Sequence, residues 1–454
     1  MKGLASELET SGVAVNSCWD VVVVGGGLAG LCAAIAARRG GASVRLLDNA
    51  PAALRGGNAR HARNFRVVHP VPTPYAPDSY QASEFLAELD GVTGGGANRA
   101  LAERLVAGSE ALVPWLMANG VQMQPPSHGV VPYSRRTVFP LGGGKAMINA
   151  LVRSAAALGI AISSDSDVRR LRQAASGWIV EVGGSGRGTS EVEARTVIVC
   201  AGGPGGDAAW LRAHYGASGD GLVIRGTPYA DGRLLEQLFA IGARAVGDPS
   251  VCHMVAVDAR GPRFDGGIVT RITAIPHGMV VDASGARIDA AGAGQEPTHY
   301  ARWGPRIAAC DGQTATLILD SDALHRAAPQ AFAPIEAESV GSLATALGCD
   351  PATLHAAVTS FNAAPPPGAR PLTRAPFAAY PMRAGITFVH HSVAVDDRLR
   401  VVWTDGRIDD SVYAAGMIMA ANVLRRGYLA GLGLTLAAVF GRLAGEEAAR
   451  HVAG

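Results

Sequence analysis

Gly25, Gly27 and Gly30, with Asp48 downstream, are the first residues whose types and spacing suit a definite piece of chemistry: holding a pyrophosphate and a ribose. In a G-x-G-x-x-G turn the first glycine permits the tight bend, the second lets the phosphates approach the backbone, and the third lets a helix pack close to a strand. The phosphates then face a helix N-terminus, here Leu28 and Ala29, where unpaired N–H groups favour an anion. An acid at position 48 suits an unphosphorylated ribose, as in FAD or NAD.

The elements that must position these residues are legible around them. Val21 to Val24 form a β-branched run of the kind a buried parallel strand carries. Leu28 to Arg39 is Ala-rich and reads as a helix ended by Gly40-Gly41, and Ser43 to Leu47 reads as a second strand delivering Asp48. Glycine-rich turns also close ordinary strand–helix units, so it is the whole unit of strand, turn, helix, strand and acid that points to a ligand. The basic run Arg55, Arg60, His61, Arg63 and Arg66 follows this unit directly and contains Gly56-Gly57-Asn58. We read it as part of a flavin and anion pocket rather than a nucleic-acid patch.

Bulk composition narrows the alternatives. With 454 residues, 48% hydrophobic and 17% charged, the chain can bury a core large enough for two domains. A net charge of +2 supplies no long-range field for nucleic acid or an anionic membrane, so any substrate charge must be met locally. Cys18, Cys32, Cys200, Cys252, Cys310 and Cys349 lack the spacing of iron–sulfur, zinc or covalent haem sites, and no metal is expected. They read as free thiols of a cytoplasmic protein. Residues 1 to 18 lack the apolar core of a signal peptide, and the apolar stretch Tyr428 to Phe440 is too short to span a bilayer, so no direct membrane insertion is expected.

Two further strand-to-glycine junctions recur. VEARTVIVCAGGPGG (192–206) carries an apolar run, Thr196 to Cys200, into Ala201 and Gly202. From Ser411 a short strand meets Gly416, then a glycine-rich crossing through Gly431 and Gly433 leads to a helix from about Leu434 and Thr435. Three such junctions spread along the chain predict an α/β, Rossmann-like nucleotide-binding domain interrupted by an α+β capping domain with one helical stretch. The expected division is 19–249 and 387–454 for the nucleotide domain and 250–386 for the cap. Junctions recurring this late favour FAD over NAD, because the ribityl chain and isoalloxazine ring must be gripped far from the adenosine. The last helix could aim its positive end at the flavin pyrimidine.

RGGNARHARNFR (55–66), GGGKAMINAL (142–151), RGTPY (225–229) and GDPSVCHMVAVDARGPRFDGGIVTR (247–271) occur together and in order. With GYLAGLGLTLAAVFGRLAGEEAA (427–449), they make the chain resemble the flavoproteins of the fumarate reductase and succinate dehydrogenase superfamily, most of all the tricarballylate dehydrogenase group. The likeness runs from about Asp20 to His451. It implies an FAD domain of the glutathione-reductase type with a capping domain, substrate being held between cap and flavin. It also implies FAD contacts at Asn49, Gly56, Gly57, Asn58, Gly143, Gly144 and Val168, besides the glycine junctions. Asn58 stands where the superfamily tethers FAD through histidine, so the flavin is expected to be noncovalent.

The chemistry implied is hydride transfer between flavin N5 and a carbon of a small di- or tricarboxylate, with a side chain handling the proton on the neighbouring carbon. Such substrates need cations to fix and polarise them. By the resemblance, His253 binds a substrate carboxylate, although a lone histidine beside a strand would more often be structural. Arg271 stands where the simple fumarate reductases carry an acid, and suits a third carboxylate. The proton-transferring arginine of the superfamily aligns nearest His299, with Arg302 close by. Tyr428 replaces a C-terminal arginine, as in the tricarballylate group. Arg425 and Arg426 read as a solvated pair, and His390 and His391 as preceding a strand back into the FAD domain.

Two departures stand out. The segment 290–302 lacks the expected acid, and Met417 replaces a glutamate that grips a flavin hydroxyl, a loss of roughly 1–2 kcal/mol in FAD binding. Three functions therefore compete. The first is a cytoplasmic tricarballylate-like dehydrogenase or reductase that passes electrons to a separate membrane-associated iron–sulfur protein. The second is a flavin oxidase or desaturase of a biosynthetic pathway, and the third a non-catalytic flavin-binding paralogue.

Overall fold

The computed structural model describes residues 18–126, 134–184, 187–267, 269–289 and 299–454, with the side chains of 187 and 299 outside that description. The strand Trp19–Val24 lies at the centre of a mostly parallel sheet, because Val21 to Val24 are apolar on both faces and need cover on both. It pairs in parallel with Val44–Leu47 on one side and with the long strand Arg187–Val199 on the other. Ile408–Ala414 adds in parallel beyond that, and Ala161–Ser163 pairs with Val44–Leu47. All three strands that were expected to run into glycine junctions are thus neighbours in one sheet, in the order 408–414, 187–199, 19–24. An antiparallel pair, Asp167–Ala174 and Gly177–Gly184, extends the same sheet from Arg187–Val199.

The helix Leu28–Arg39 follows the first strand with the limits read from the sequence. The last helix, Leu432–Ala453, starts two residues before Leu434 and packs against it. Their approach is set by glycines: a Cβ at Gly441 would lie 2.3 Å from Ala29 O, and one at Gly445 would lie 2.2 Å from Ala33 O. This seam sets where the N-terminal end of the last helix meets the glycine turn.

A second, largely antiparallel sheet is built on the 17-residue strand Phe377–Val393. Ala245–Asp258, Thr314–Leu319 and Ile335–Ala337 pair with it antiparallel, and Val223–Ile224 pairs in parallel. The limits expected at 249/250 and 386/387 fall inside two of these strands, and the sheet draws on residues from 223 to 393. Among the described residues four α-helices lie in the cap interval, Trp303–Ala308, Ser321–Arg326, Val340–Leu347 and Pro351–Ala363, where one helical stretch was expected. Two are only six residues long, too short to leave a helical period in the sequence. His390 and His391 lie within the long strand rather than before it, since the apolar pattern continues through them to Val393.

One irregularity matters for the site. The pairing of Ala245–Asp258 with Phe377–Val393 shifts register between His253, opposite Phe388, and Met254, opposite Ile386. Thr387 is the extra residue of this bulge, so its groups are released from the ladder and can be aimed elsewhere.

Candidate functional site: a glycine-lined cleft ending in a cluster of cations

The carboxyl ends of the three parallel strands open onto one cleft enclosing about 1840 Å³, mouth included. Gly25, Gly202 and Gly416, one from each junction, all line it. Each has positive φ, at 107°, 77° and 84°.

At one end are Gly25, Gly27, Leu28, Ala29, Asp48, Asn49 and Val168. Here the three glycines of the first turn separate by role. A Cβ on Gly25 would lie 2.4 Å from Cys200 O, and one on Gly30 would lie 1.8 Å from Gly25 O, whereas at Gly27 the nearest atom is 3.8 Å away. Gly27 thus leaves its backbone open to a ligand, and Gly30 serves the close helix–strand packing without lining the cleft itself. Asp48 is buried, and its Oδ2 has no hydrogen-bond partner. Burial pushes its carboxyl above the usual range, offset only in part by the amides of Gly26, Ala50 and Asn49. A buried, unpartnered acceptor beside an open glycine turn is what a ribose hydroxyl and a pyrophosphate would satisfy, so these residues fit FAD.

Further along lie Gly56, Gly57, Asn58, Ala201, Gly202, Gly416, Met417, Gly431, Gly433 and Leu434. Asn58 spans the two sheets: its Nδ2 donates to Thr387 O at 3.1 Å, and its Oδ1 accepts from Thr227 N at 2.9 Å. Besides Gly30, three expected flavin contacts do not line the cleft. Gly143 and Gly144 start the helix Gly143–Ala157, where the missing side chain at Gly144 makes room for Ala59 O. Thr435 is fully buried, and its Oγ1 accepts from Arg66 N at 2.9 Å and donates to Arg66 O at 2.7 Å. These residues hold the cleft wall from behind.

The far end gathers His253, Arg271, Tyr428, Arg63, Arg225 and Tyr300. The His253 ring lies 4.4 Å from that of Tyr428, 5.5 Å from Phe388 and 6.1 Å, edge-on, from Tyr300. The Arg271 guanidinium sits 4.9 Å from the centre of the Tyr300 ring. Arg225 is buried; its Nη1 donates to Thr387 Oγ1 at 2.7 Å and its Nε to Gly267 O at 3.2 Å. Its stem fits because Gly385 has no side chain.

The electrostatics of this end are one-sided. Burial pushes Arg63 and Arg225 down to about 10, with Arg271 adding repulsion to each, and burial lowers Arg271 as well. All three stay charged at neutral pH. His253 is held well below the usual histidine range by burial and by the cations Arg225 and Arg271, so it is neutral. Burial pushes Tyr428 up to about 12, and its hydroxyl accepts from Gly433 N at 3.3 Å. Among the described residues no carboxylate pairs with Arg63, Arg225 or Arg271. Buried and half-buried cations without counter-ions are costly, and the site can recover that cost by taking an anion.

Other expected residues lie elsewhere. Arg302 is exposed and does not line the cleft; a helix begins directly after it and carries Trp303 and Ile307 inward instead. Residues 290–296, where the family's acid was expected to be missing, and the His299 side chain lie outside the described residues. His390 is buried with Nδ1 2.6 Å from Leu424 O, and the His391 ring lies tilted against Phe239 at 5.1 Å; neither lines the cleft. Of the basic run only His61 and Arg63 line it. Arg66 pairs instead with Glu88 and Tyr80, and Arg55 with Asn149. His61 Nε2 is 2.5 Å from Asp265, a contact from the FAD side to the second sheet. Arg425 and Arg426 are exposed and do not line the cleft, and Arg426 Nε donates to Thr93 O at 3.1 Å. Arg225 and Tyr300 were not singled out from sequence, although Arg225 opens RGTPY directly after an apolar pair, Val223-Ile224, where a charge is out of place.

A three-junction glycine cleft of this shape, closed by a second sheet, is the architecture of an FAD-binding flavoprotein. Residues 20–434 match the FAD binding domain family, and the chain belongs to it. It is 26% identical to the NADH:fumarate oxidoreductase of Klebsiella pneumoniae (strain 342), in an alignment covering 100% of this chain and 50% of that protein. The chain thus spans about half the length of that relative. Its fold is similar to the open conformation of a flavocytochrome c3 fumarate reductase, with a TM-score of 0.80 and 23% identity over 97% of this chain and 79% of the other. The 3-ketosteroid-Δ4-(5α)-dehydrogenase of Rhodococcus jostii RHA1 in complex with 4-androstene-3,17-dione is also similar, with a TM-score of 0.73 and 22% identity over 97% and 99%. No helix among the described residues is long and apolar enough to cross a membrane.

Proposed function

We propose that the protein is an FAD-dependent oxidoreductase of the fumarate reductase type, acting on the CH–CH bond of a small di- or tricarboxylate such as tricarballylate. The observation that carries this reading is the set of three arginines, Arg63, Arg225 and Arg271, gathered around a neutral His253 with no carboxylate partner among the described residues. Guanidinium groups grip carboxylates with defined geometry, and three of them suit a substrate with more than two such groups. In this reading Arg271 takes the third carboxylate, and neutral His253 donates a hydrogen bond rather than a charge. A neutral ketosteroid like that of the Rhodococcus enzyme would leave all three cations buried beside apolar rings, which argues against such a ligand here.

FAD, when bound, accepts or supplies the hydride. The chain's own part is to hold the carboxylates, exclude water and polarise the bond. Asn58 carries no nucleophile and is tied to Thr227 and Thr387, which supports noncovalent flavin. Among the described residues no group of histidine, cysteine or acidic side chains could hold a metal, so the electrons are proposed to pass to or from a separate protein, such as an iron–sulfur carrier. An oxidase using oxygen differs from this reading in the acceptor alone.

The test is the anaerobic visible spectrum of FAD-loaded protein before and after addition of tricarballylate, with succinate as comparison. Bleaching by tricarballylate, abolished in His253→Ala and Arg271→Ala, is the expected result. Absorbance that neither acid changes would overturn the carboxylate reading and favour a non-catalytic flavin protein.

A further inference from the structure

We propose that Tyr300 is the group that hands the substrate its proton, a role the sequence placed at His299 or Arg302. The inference rests on the carboxylate oxidoreductase reading above and assigns the acid within it.

Three observations lead to Tyr300. The first is position: its ring lines the cleft between Arg271, 4.9 Å away, and His253, 6.1 Å away, while Arg302 is exposed outside it. The second is availability. The Tyr428 hydroxyl, at the same end of the cleft, is occupied by Gly433 N, and Tyr413, whose buried hydroxyl has no partner, lies in the strand Ile408–Ala414 and does not line the cleft. The Tyr300 hydroxyl has no hydrogen-bond partner among the described residues, and the residue lines the cavity where a substrate would lie. The third is what surrounds it. Arg271, Arg225, Arg63 and Arg66 all favour its ionised form, which is what must be stabilised once a proton has left.

The other groups at this end are poorly suited to the task. His253 faces Arg225, Arg271 and His390, and it carries no proton to give at neutral pH. Arg225 is tied to Thr387 Oγ1 and Gly267 O, and Arg63 and Arg271 are needed as cations to hold the carboxylates. Tyr300 is itself kept protonated by burial, so it stands ready as an acid.

In the reductive direction the step balances as follows. The Tyr300 O–H bond breaks and a C–H bond forms at one alkene carbon. The adjacent carbon receives a hydride from the reduced flavin, and the carbon–carbon π bond is lost. The substrate is reduced, the flavin oxidised, and the phenolate regains a proton from solvent. Oxidation runs the same path backwards and needs the phenolate first.

The experiment uses FAD-loaded wild type and Tyr300→Phe, which keeps the ring beneath Arg271. Tricarballylate affinity is measured by calorimetry, and anaerobic flavin reduction by tricarballylate and reoxidation by propene-1,2,3-tricarboxylate are followed by absorbance. The expected result is an affinity unchanged within about threefold and both rates down by roughly 100-fold or more, the usual worth of a positioned acid. In wild type, flavin reduction should also quicken as pH rises, and this dependence should vanish in the variant. Wild-type rates in Tyr300→Phe, or a loss of affinity as large as that of Arg271→Ala, would overturn the assignment. A wild-type flavin that responds to neither acid overturns the underlying carboxylate reading instead.

Discussion

Replacing Asp48 by asparagine tests the nucleotide grip, because affinity and stability should respond in opposite directions. In wild type the carboxylate is buried and its Oδ2 has no partner, so a ribose hydroxyl would supply the missing donor. A hydrogen bond to a charged acceptor contributes about 1.5–3 kcal/mol, so the neutral amide should weaken FAD binding by roughly 10- to 150-fold. The effect on the flavin-free protein has the other sign. Burial raises the Asp48 pKa in the folded state, so the folded protein binds the proton more tightly than the unfolded chain does. That contribution is present below about pH 4, the unfolded value, and is lost as pH rises through the folded value. A neutral amide at this position carries no such loss, and flavin-free Asp48→Asn should be at least as stable as wild type at neutral pH. Fluorescence titration with FAD and urea unfolding of the flavin-free protein give both numbers. Unchanged FAD affinity, or a flavin-free variant clearly less stable than wild type, would refute the reasoning.

Two further outcomes follow from the same geometry. Thr435→Val keeps the shape of the side chain but strands Arg66 N and Arg66 O in the core, so urea unfolding should show a loss of about 1–3 kcal/mol per unpaired group. Because His253 is already neutral well below the usual histidine range, tricarballylate affinity measured calorimetrically from pH 6 to 8 should show no inflection near 6.5; such an inflection would mean that His253 binds the anion as a cation.

The nucleotide half of the molecule was legible because its geometry is local. A strand of valines, a glycine that must adopt positive φ and a helix of alanines are each dictated by neighbours a few residues away. Thus Leu28–Arg39 came out with its observed limits, and Gly25, Gly202 and Gly416 converge on one cleft because their strands are adjacent. The misplaced residues share a different character. Gly143, Gly144 and Thr435 have the right motif context but act one layer behind the cleft, against Ala59 and Arg66. A glycine required for close packing and one required for ligand approach look the same in sequence.

The cation cluster was less legible, for a reason that also says what it does. Arg63 comes from the loop after a short helical turn, Arg225 from the end of a two-residue strand, Arg271 from an isolated bridge to Val257, Tyr300 from the short helical turn His299–Arg302, and Thr387 from a bulge visible only in the register of two strands. None of these positions has a local pattern that favours it. Arg225 goes against its own, being a buried charge following two apolar strand residues and held by Thr387 Oγ1 and Gly267 O. Burying it costs stability, and placing Arg63 and Arg271 nearby adds repulsion that the described residues do not relieve. Folding alone gives no reason to assemble such a group. A bound polyanion does, since one ligand with several carboxylates can offset the desolvation and the repulsion together. The local rules of the fold are therefore broken most where the chain is proposed to meet its substrate.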